Sequence, residues 1–177
     1  QLIKDYLKLY PDKSILYISC RQSFANFITG EDFKEIGLVN YLDFKENKQE
    51  ITKHKKICCS LESLHEIEYI DKFDIIILDE VETVLNILSS ETMQQKTLYN
   101  YNLLKSFIEK SGRVFAADAF ITNRTIDFIN NFKGDKTIII NEKPNIEREA
   151  VEVHENKILN VLCDSIKRGE KNFIHIR

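Results

Sequence analysis

The sequence predicts an α/β domain built on a doubly wound, mainly parallel sheet. Short apolar runs recur along the chain, among them SILYIS at 14–19, FDIIIL at 73–78 and RVFAA at 113–117. A run without alternation is what a strand covered on both faces shows. Stretches with apolar residues at helical spacing separate these runs, as parallel strands need crossover helices between them. Several runs end in polar or charged residues, and sheets of this kind take ligands outside the carboxyl ends of their strands.

Taken in order, residues 14–19 form the first strand, and 22–29 carry Phe24, Phe27 and Ile28 at helical spacing before Gly30, a natural stop. Residues 38–44 and 56–59 read as two further strands, with a charged loop or helical stretch at 45–55 between them. A short helix or turn is expected at 60–68. The strand at 73–78 runs into Asp79-Glu80. One helix follows at 81–88 and a longer one at 92–110, where Leu98, Tyr101, Leu104, Phe107 and Ile108 make one stripe and Gly112 the stop. A strand at 113–117, a helix at 122–132 and a strand at 137–140 come next. Residues 141–148, with Pro144 and four charges, are the best linker. Beyond it a strand at 149–154, a helix at 156–168 and a strand at 172–176 continue the alternation. The expected division is a main domain at 1–143 and the start of a second at 144–177.

Composition narrows the class. The 177 residues are 43% hydrophobic and 30% charged, with 25 Lys and Arg against 28 Asp and Glu. Such a chain buries a core and is not disordered. No run approaches the length of a membrane span, and the start Gln-Leu-Ile-Lys lacks the build of a signal peptide and an initiator Met. It reads as a cut inside a longer protein. The four thiols, Cys20, Cys58, Cys59 and Cys163, show no CxxC spacing, so buried, reduced cysteines in an intracellular reducing compartment are expected. The scattered histidines make no ligand pair. A net charge of −3 excludes a strongly basic nucleic-acid arm but not a groove built from local donors.

The strand ends carry the chemistry. An apolar strand that ends in Asp79-Glu80 offers two carboxylates to the crevice. The first suits Mg²⁺ held through water. The second suits a general base that orients the water attacking a γ-phosphate. The competing reading is an acidic cap on the helix at Val81, with Glu82 adding to it. Asp118 ends the strand at 113–117 in the same way, among small residues. It could instead cap the next helix, although Thr122 or Asn123 fits that task better. Arg21, Gln22 and Ser23 open a helix after the first strand and suit a phosphate contact; a solvated helix start explains them equally well. The run Ser60-Leu61-Glu62-Ser63-Leu64-His65 is open to the same two readings.

Together these blocks resemble the first motor lobe of a superfamily 2 helicase, and more narrowly the replication-origin-binding helicases of herpesviruses and their relatives in other large DNA viruses and plasmids. LYISCRQSFANFI (16–28) looks like the motif Ia that grips the DNA backbone. ICCSLESLHEIE (57–68) is similar to the segment with a Ser-Leu pair, here Ser63-Leu64-His65. IIILDEVETVLNILSSETM (75–93) looks like the Walker B block and the helices after it. FAADAFITNRTIDFI (115–129) is similar to motif III, with Asp-Ala in place of the commoner Ser-Ala-Thr. The resemblance covers about 16–140. It implies a RecA-like sheet of the P-loop NTPase type and ATP and Mg²⁺ as cofactors. It further implies Glu80 as the catalytic base, Asp79, Glu82 and Asp118 around the nucleotide and magnesium, and Arg21, Gln22, Ser23, Ser63 and His65 toward nucleic acid. DNA as a single strand, a fork or an origin, and replication proteins, are the implied partners. No membrane is implied, the oligomeric state is unknown, and a viral source means the host cytoplasm or nucleus.

The sequence departs from that pattern in places. No G-x-x-x-x-G-K-[ST] loop occurs, since no glycine precedes Gly30 and no Gly-Lys pair exists. Residues 1–10 read as the tail of the helix that follows such a loop. NFIHIR at 172–177 is similar to the strand carrying motif IV of a second lobe, whose arginine finger would lie later. Glu82 stands where better-known relatives have Asp or His, so its partner is not named by analogy. The expectation is a fragment of an ATP-dependent DNA helicase acting in replication, with origins a possible site by the resemblance, and inactive as a lone fragment for want of these parts. Two alternatives stand beside it: a nucleic-acid clamp on this fold without ATPase activity, and a magnesium-dependent phosphotransferase or nuclease-like domain using Asp79, Glu80 and Asp118.

Overall fold

The computed structural model of the chain describes residues 2–20, 22–47, 49–88 and 96–132, together with Thr137 and Lys167. The chain divides into two units, Gln1–Thr137 and Ile138–Arg177, and the first holds everything described below. The strands expected at 137–140, 149–154 and 172–176 and the helix at 156–168 lie outside the described residues, save Thr137 and Lys167.

The first unit is an α/β fold. After α1 (Leu2–Lys8) come β1 (Ile15–Ser19), α2 (Gln22–Phe27), β2 (Val39–Asn40), β3 (Lys56–Ser60), β4 (Ile75–Asp79), α3 (Val81–Ile87), α4 (Thr97–Lys110), β5 (Arg113–Ala117) and α5 (Asn123–Asn130). The five strands form one sheet in the order β2-β3-β1-β4-β5, and every pairing is parallel. The central strand β1 is buried along its whole length, which is why it reads as continuously apolar.

Period-two alternation divides the core between the sheet's faces. Leu16 and Ile18 join Ile57, Cys59, Ile76 and Leu78 on one face, packed on Val84 of α3 and Leu104, Phe107 and Ile108 of α4. Ile15, Tyr17, Cys58, Ile75 and Ile77 line the other, with Leu7 of α1 and Ala25 of α2. Burial pushes the Cys58 thiol up to about 12 and the Cys59 thiol well above its usual range. These two cysteines are core hydrophobes in effect.

The expected strand at 38–44 is shorter than the sequence reading. Only Val39–Asn40 is extended, and Tyr41–Phe44 is a 3-10 turn, because the Asn40 side-chain oxygen accepts from the Leu42 amide at 3.1 Å and turns the chain. The helix at 22–29 stops its α-helical winding at Phe27 and widens over Ile28–Asp32. Thr29 there bonds back to the Ala25 carbonyl at 2.8 Å. Gly30 is therefore not the stop; the left-handed glycine is Gly37, at φ 76°, closing the 3-10 turn Lys34–Ile36. Gly112 has another reason to be glycine: a Cβ there would lie 3.3 Å from the Asp74 carbonyl oxygen, which accepts the Gly112 and Arg113 amides.

The stripe expected on the long helix holds for Leu104, Phe107 and Ile108 and fails at Leu98, which is 71% exposed. The fully buried residue of that first turn is Asn100. Its amide donates to the Leu61 and Glu62 carbonyls at 3.0 Å each, and its oxygen accepts from the His65 amide at 3.1 Å. One polar side chain thus ties α4 to the 3-10 segment Leu61–Ile67 after β3.

Candidate functional site

Because every strand points the same way, the ends of β1, β3, β4 and β5 share one edge of the sheet. Register sets Ser19 beside Ser60 and Asp79 beside Ala117. The residues singled out after the strands therefore meet at this edge, with β1 on one flank of β4 and β5 on the other.

On the β1 flank, the Tyr17 hydroxyl donates to Asp79 Oδ2 at 2.5 Å. The alternation explains the reach: Tyr17 pairs with Ile77, and Asp79 stands two residues on, on the same face. Asp79 Oδ1 lies 3.2 Å from the Glu80 amide. Glu80 links β4 to α3 with φ 50° and ψ 52°, the one non-glycine residue with positive φ among the described residues. A left-handed residue with a Cβ costs roughly 1–2 kcal/mol, and strain of this kind gathers at functional sites. The Glu80 side chain is exposed, and its Oε2 accepts from the Cys20 thiol at 3.0 Å.

The β5 flank is built differently. Asp118 Oδ2 accepts the Glu82 amide at 3.0 Å, and its Oδ1 accepts the Phe120 amide at 3.0 Å. It therefore caps α3 and its own loop, not the helix after it. Glu82 is gathered in by the segment leading into α5. Its Oε1 accepts from the Thr122 amide at 2.7 Å and from the Thr122 and Thr125 hydroxyls at 2.8 and 2.7 Å. Its Oε2 pairs with Arg124 at 2.7 Å, and Arg124 also reaches the Glu82 carbonyl and the Asn86 side chain. The Thr125 hydroxyl, the Thr122 donors and Arg124 hold the Glu82 carboxyl down at about 2. The side chain expected beside a nucleotide is thus fastened to α5.

The residues nominated toward nucleic acid are less gathered. Arg21 lies outside the described residues, as does the side chain of Gln22, while Ser23 is exposed on α2. Ser63 accepts from the Tyr41 hydroxyl at 2.7 Å. His65 Nε2 stands 2.7 Å from Lys96 Nζ and 3.2 Å from Glu66, and its buried Nδ1 has no hydrogen-bond partner among the described residues. No group of three His, Cys, Asp or Glu among the described residues is arranged to hold a metal ion. No described helix is long and apolar enough to cross a membrane.

Sequence reasoning missed Tyr17, Thr122, Arg124, Thr125 and Asn100 as partners of the site. The available signal was a tyrosine inside an otherwise aliphatic strand, and a Thr-x-Arg-Thr cluster beginning the helix after β5.

A five-stranded parallel α/β sheet with carboxylates at one edge, past the ends of its strands, defines the class. Within that class, residues 2–144 match the family described as origin of replication binding protein, and the chain belongs to that family. It is similar to the replication origin-binding protein of varicella-zoster virus (strain Dumas), 33% identical over 132 residues, which is 73% of this chain and 16% of that protein. The replication origin-binding protein of human herpesvirus 6A (strain Uganda-1102) is 31% identical over 136 residues, 76% of this chain and 17% of that protein. That of human herpesvirus 2 (strain HG52) is 29% identical over 133 residues, covering 72% of this chain and 15% of that protein. The chain thus spans about one sixth of the length of the curated relatives it matches. No solved structure matches it.

Proposed function

We propose that this chain is the first motor lobe of an ATP-driven DNA helicase that acts in viral DNA replication at origins. The observation that carries the reading is the Asp79-Glu80 pair, set at the carboxyl end of a central parallel strand by a strained left-handed turn. Membership in a family whose relatives are named replication origin-binding proteins supports the substrate and the process.

In this reading the sheet is of the RecA-like, P-loop NTPase type, with the lobe ending near 143 and the linker and second lobe beginning at 144. Glu80 is the general base, a role worth roughly 10²–10⁴-fold in rate. Asp79 holds Mg²⁺ through water. Its donor set fits that task, because both carboxylate oxygens keep acceptor capacity beyond Tyr17 and the Glu80 amide. When bound, the ion neutralises charge on the phosphates of ATP. Asp118 acts on the nucleotide side through α3, whose first turn it caps, and Glu82 acts through α5. Arg21, Gln22, Ser23, Ser63 and His65 are assigned to DNA contact. Replication proteins of the host-cell compartment, cytoplasm or nucleus, are the working partners.

The test is ATP hydrolysis by the full-length protein with Glu80→Gln, which keeps size and hydrogen bonding but removes the base. Nucleotide affinity should hold while turnover falls by roughly 10²-fold or more. Unchanged turnover contradicts the assignment. A protein that binds DNA but never hydrolyses ATP favours the clamp instead.

A further inference from the structure

Strand β1 and the residue just past it meet the carboxylate pair with two polar side chains. Tyr17 takes Asp79, and Cys20, the residue just past the strand, takes Glu80 Oε2 at 3.0 Å. Cys20 is 8% exposed, whereas Glu80 is exposed. An exposed carboxylate free to be fully hydrated is therefore tethered to a buried thiol. The tether leans toward β1, away from the flank where Asp118 sits. A thiol is a weak donor, so this bond can be released at low cost. The Glu82 clasp is the opposite case, with a backbone amide, two hydroxyls and a guanidinium closing on one carboxylate.

Cys20 is also one peptide bond from Arg21, and α2 begins at Gln22. The segment nominated to grip a DNA backbone and the residue nominated as base are thus joined through one side chain. We propose that Cys20 is a positioning residue that holds Glu80 on the β1 flank until DNA bound at the start of α2 shifts it, so that grip releases the base. This inference rests on the motor reading above and adds the device by which DNA would stimulate hydrolysis. The covalent chemistry is unchanged; the tether alters only how often the Glu80 carboxylate is available to take a proton from water.

The experiment is steady-state ATP hydrolysis by the full-length protein, with and without single-stranded DNA, for wild type, Cys20→Ala and Cys20→Ser. Removing the tether should raise the DNA-free kcat about two- to fivefold, the rate equivalent of one weak hydrogen bond. KM for ATP should stay within about twofold, because the nucleotide contacts are untouched, and the stimulation ratio should shrink accordingly. Cys20→Ser keeps a donor and should restore the wild-type ratio. A packing role alone predicts that Cys20→Ala changes both rates together or neither, and either result overturns the proposal. A second measurement does not depend on the variants folding: alkylation of Cys20, followed peptide by peptide, should speed up when single-stranded DNA is added to the wild type. An unchanged rate overturns the proposal too. Absence of ATP hydrolysis by the wild type would overturn the motor reading and this inference with it; hydrolysis whose stimulation ratio ignores Cys20→Ala overturns the inference alone.

Discussion

The two flanks of β4 handle adjacent carboxylates in opposite ways. On the β1 flank, Asp79 and Glu80 each receive one neutral side-chain donor, Tyr17 and Cys20, and the backbone of Glu80 is strained. On the β5 flank, Glu82 receives two hydroxyls, a backbone amide and an arginine, and relaxed helical geometry surrounds it. A carboxylate saturated with donors is a structural clasp, because its charge is already neutralised and its position fixed. A carboxylate held by one weak donor, in a conformation that costs free energy, is available for chemistry. The acidic run Asp79-Glu80-Val81-Glu82 therefore divides within four residues into a reactive pair and a fastener.

The largest expected effect on stability comes from the fastener. Glu82→Ala strips the Arg124 pair and leaves the Thr125 hydroxyl, 1% exposed, without its acceptor. Urea unfolding of the 177-residue chain should show a loss of about 3 kcal/mol, since hydrogen bonds to charged groups are worth roughly 1.5–3 kcal/mol. The same clasp sets an acid-range signature. The folded Glu82 carboxyl is lowered from 4.5 to about 2, so its contribution is fully present above pH 4.5 and is lost as pH falls toward 2. Glu82→Gln should remove that part of the pH dependence. A wild-type slope across this window that survives Glu82→Gln would break the contrast between the flanks.

Smaller effects should come from the reactive flank. Tyr17→Phe removes one hydroxyl from Asp79 and should cost about 1 kcal/mol. Glu80→Gly should move the other way, because glycine enters the left-handed region without a Cβ penalty. A gain of up to about 1 kcal/mol in the same unfolding assay is expected, together with loss of hydrolysis in the full-length protein. A destabilised Glu80→Gly would mean that the turn is not strained for function.

Much of the fold was legible because fully buried parallel strands leave an unmistakable trace. SILYIS, FDIIIL and RVFAA each mark a strand to within about two residues of β1, β4 and β5, and their shared edge follows from parallel pairing alone. Less legible was whatever depended on a polar side chain doing structural work. Asn40 shortened β2, Thr29 accompanied the widening of the turn after α2, and Asn100 occupied a buried place that apolar periodicity assigned to its neighbours. For the site, the position of the carboxylates was readable from where the strand ends. Their separate roles were not, because partners 40 to 62 residues away in sequence decide them: Tyr17 and Cys20 on one flank, Thr122, Arg124 and Thr125 on the other.

The most direct test of the contrast sets Glu80→Gln against Glu82→Gln in two readouts: melting of the chain, and ATP turnover per folded molecule of the full-length protein. Glu80→Gln should leave the melting temperature unchanged and remove roughly 10²-fold or more of the turnover. Glu82→Gln should lower the melting temperature by several degrees, roughly 2–4 °C per 1 kcal/mol for a chain of this size, while most turnover per folded molecule remains. The reverse pattern, with Glu82→Gln silencing hydrolysis in a fully stable protein and Glu80→Gln hydrolysing normally, would contradict the account.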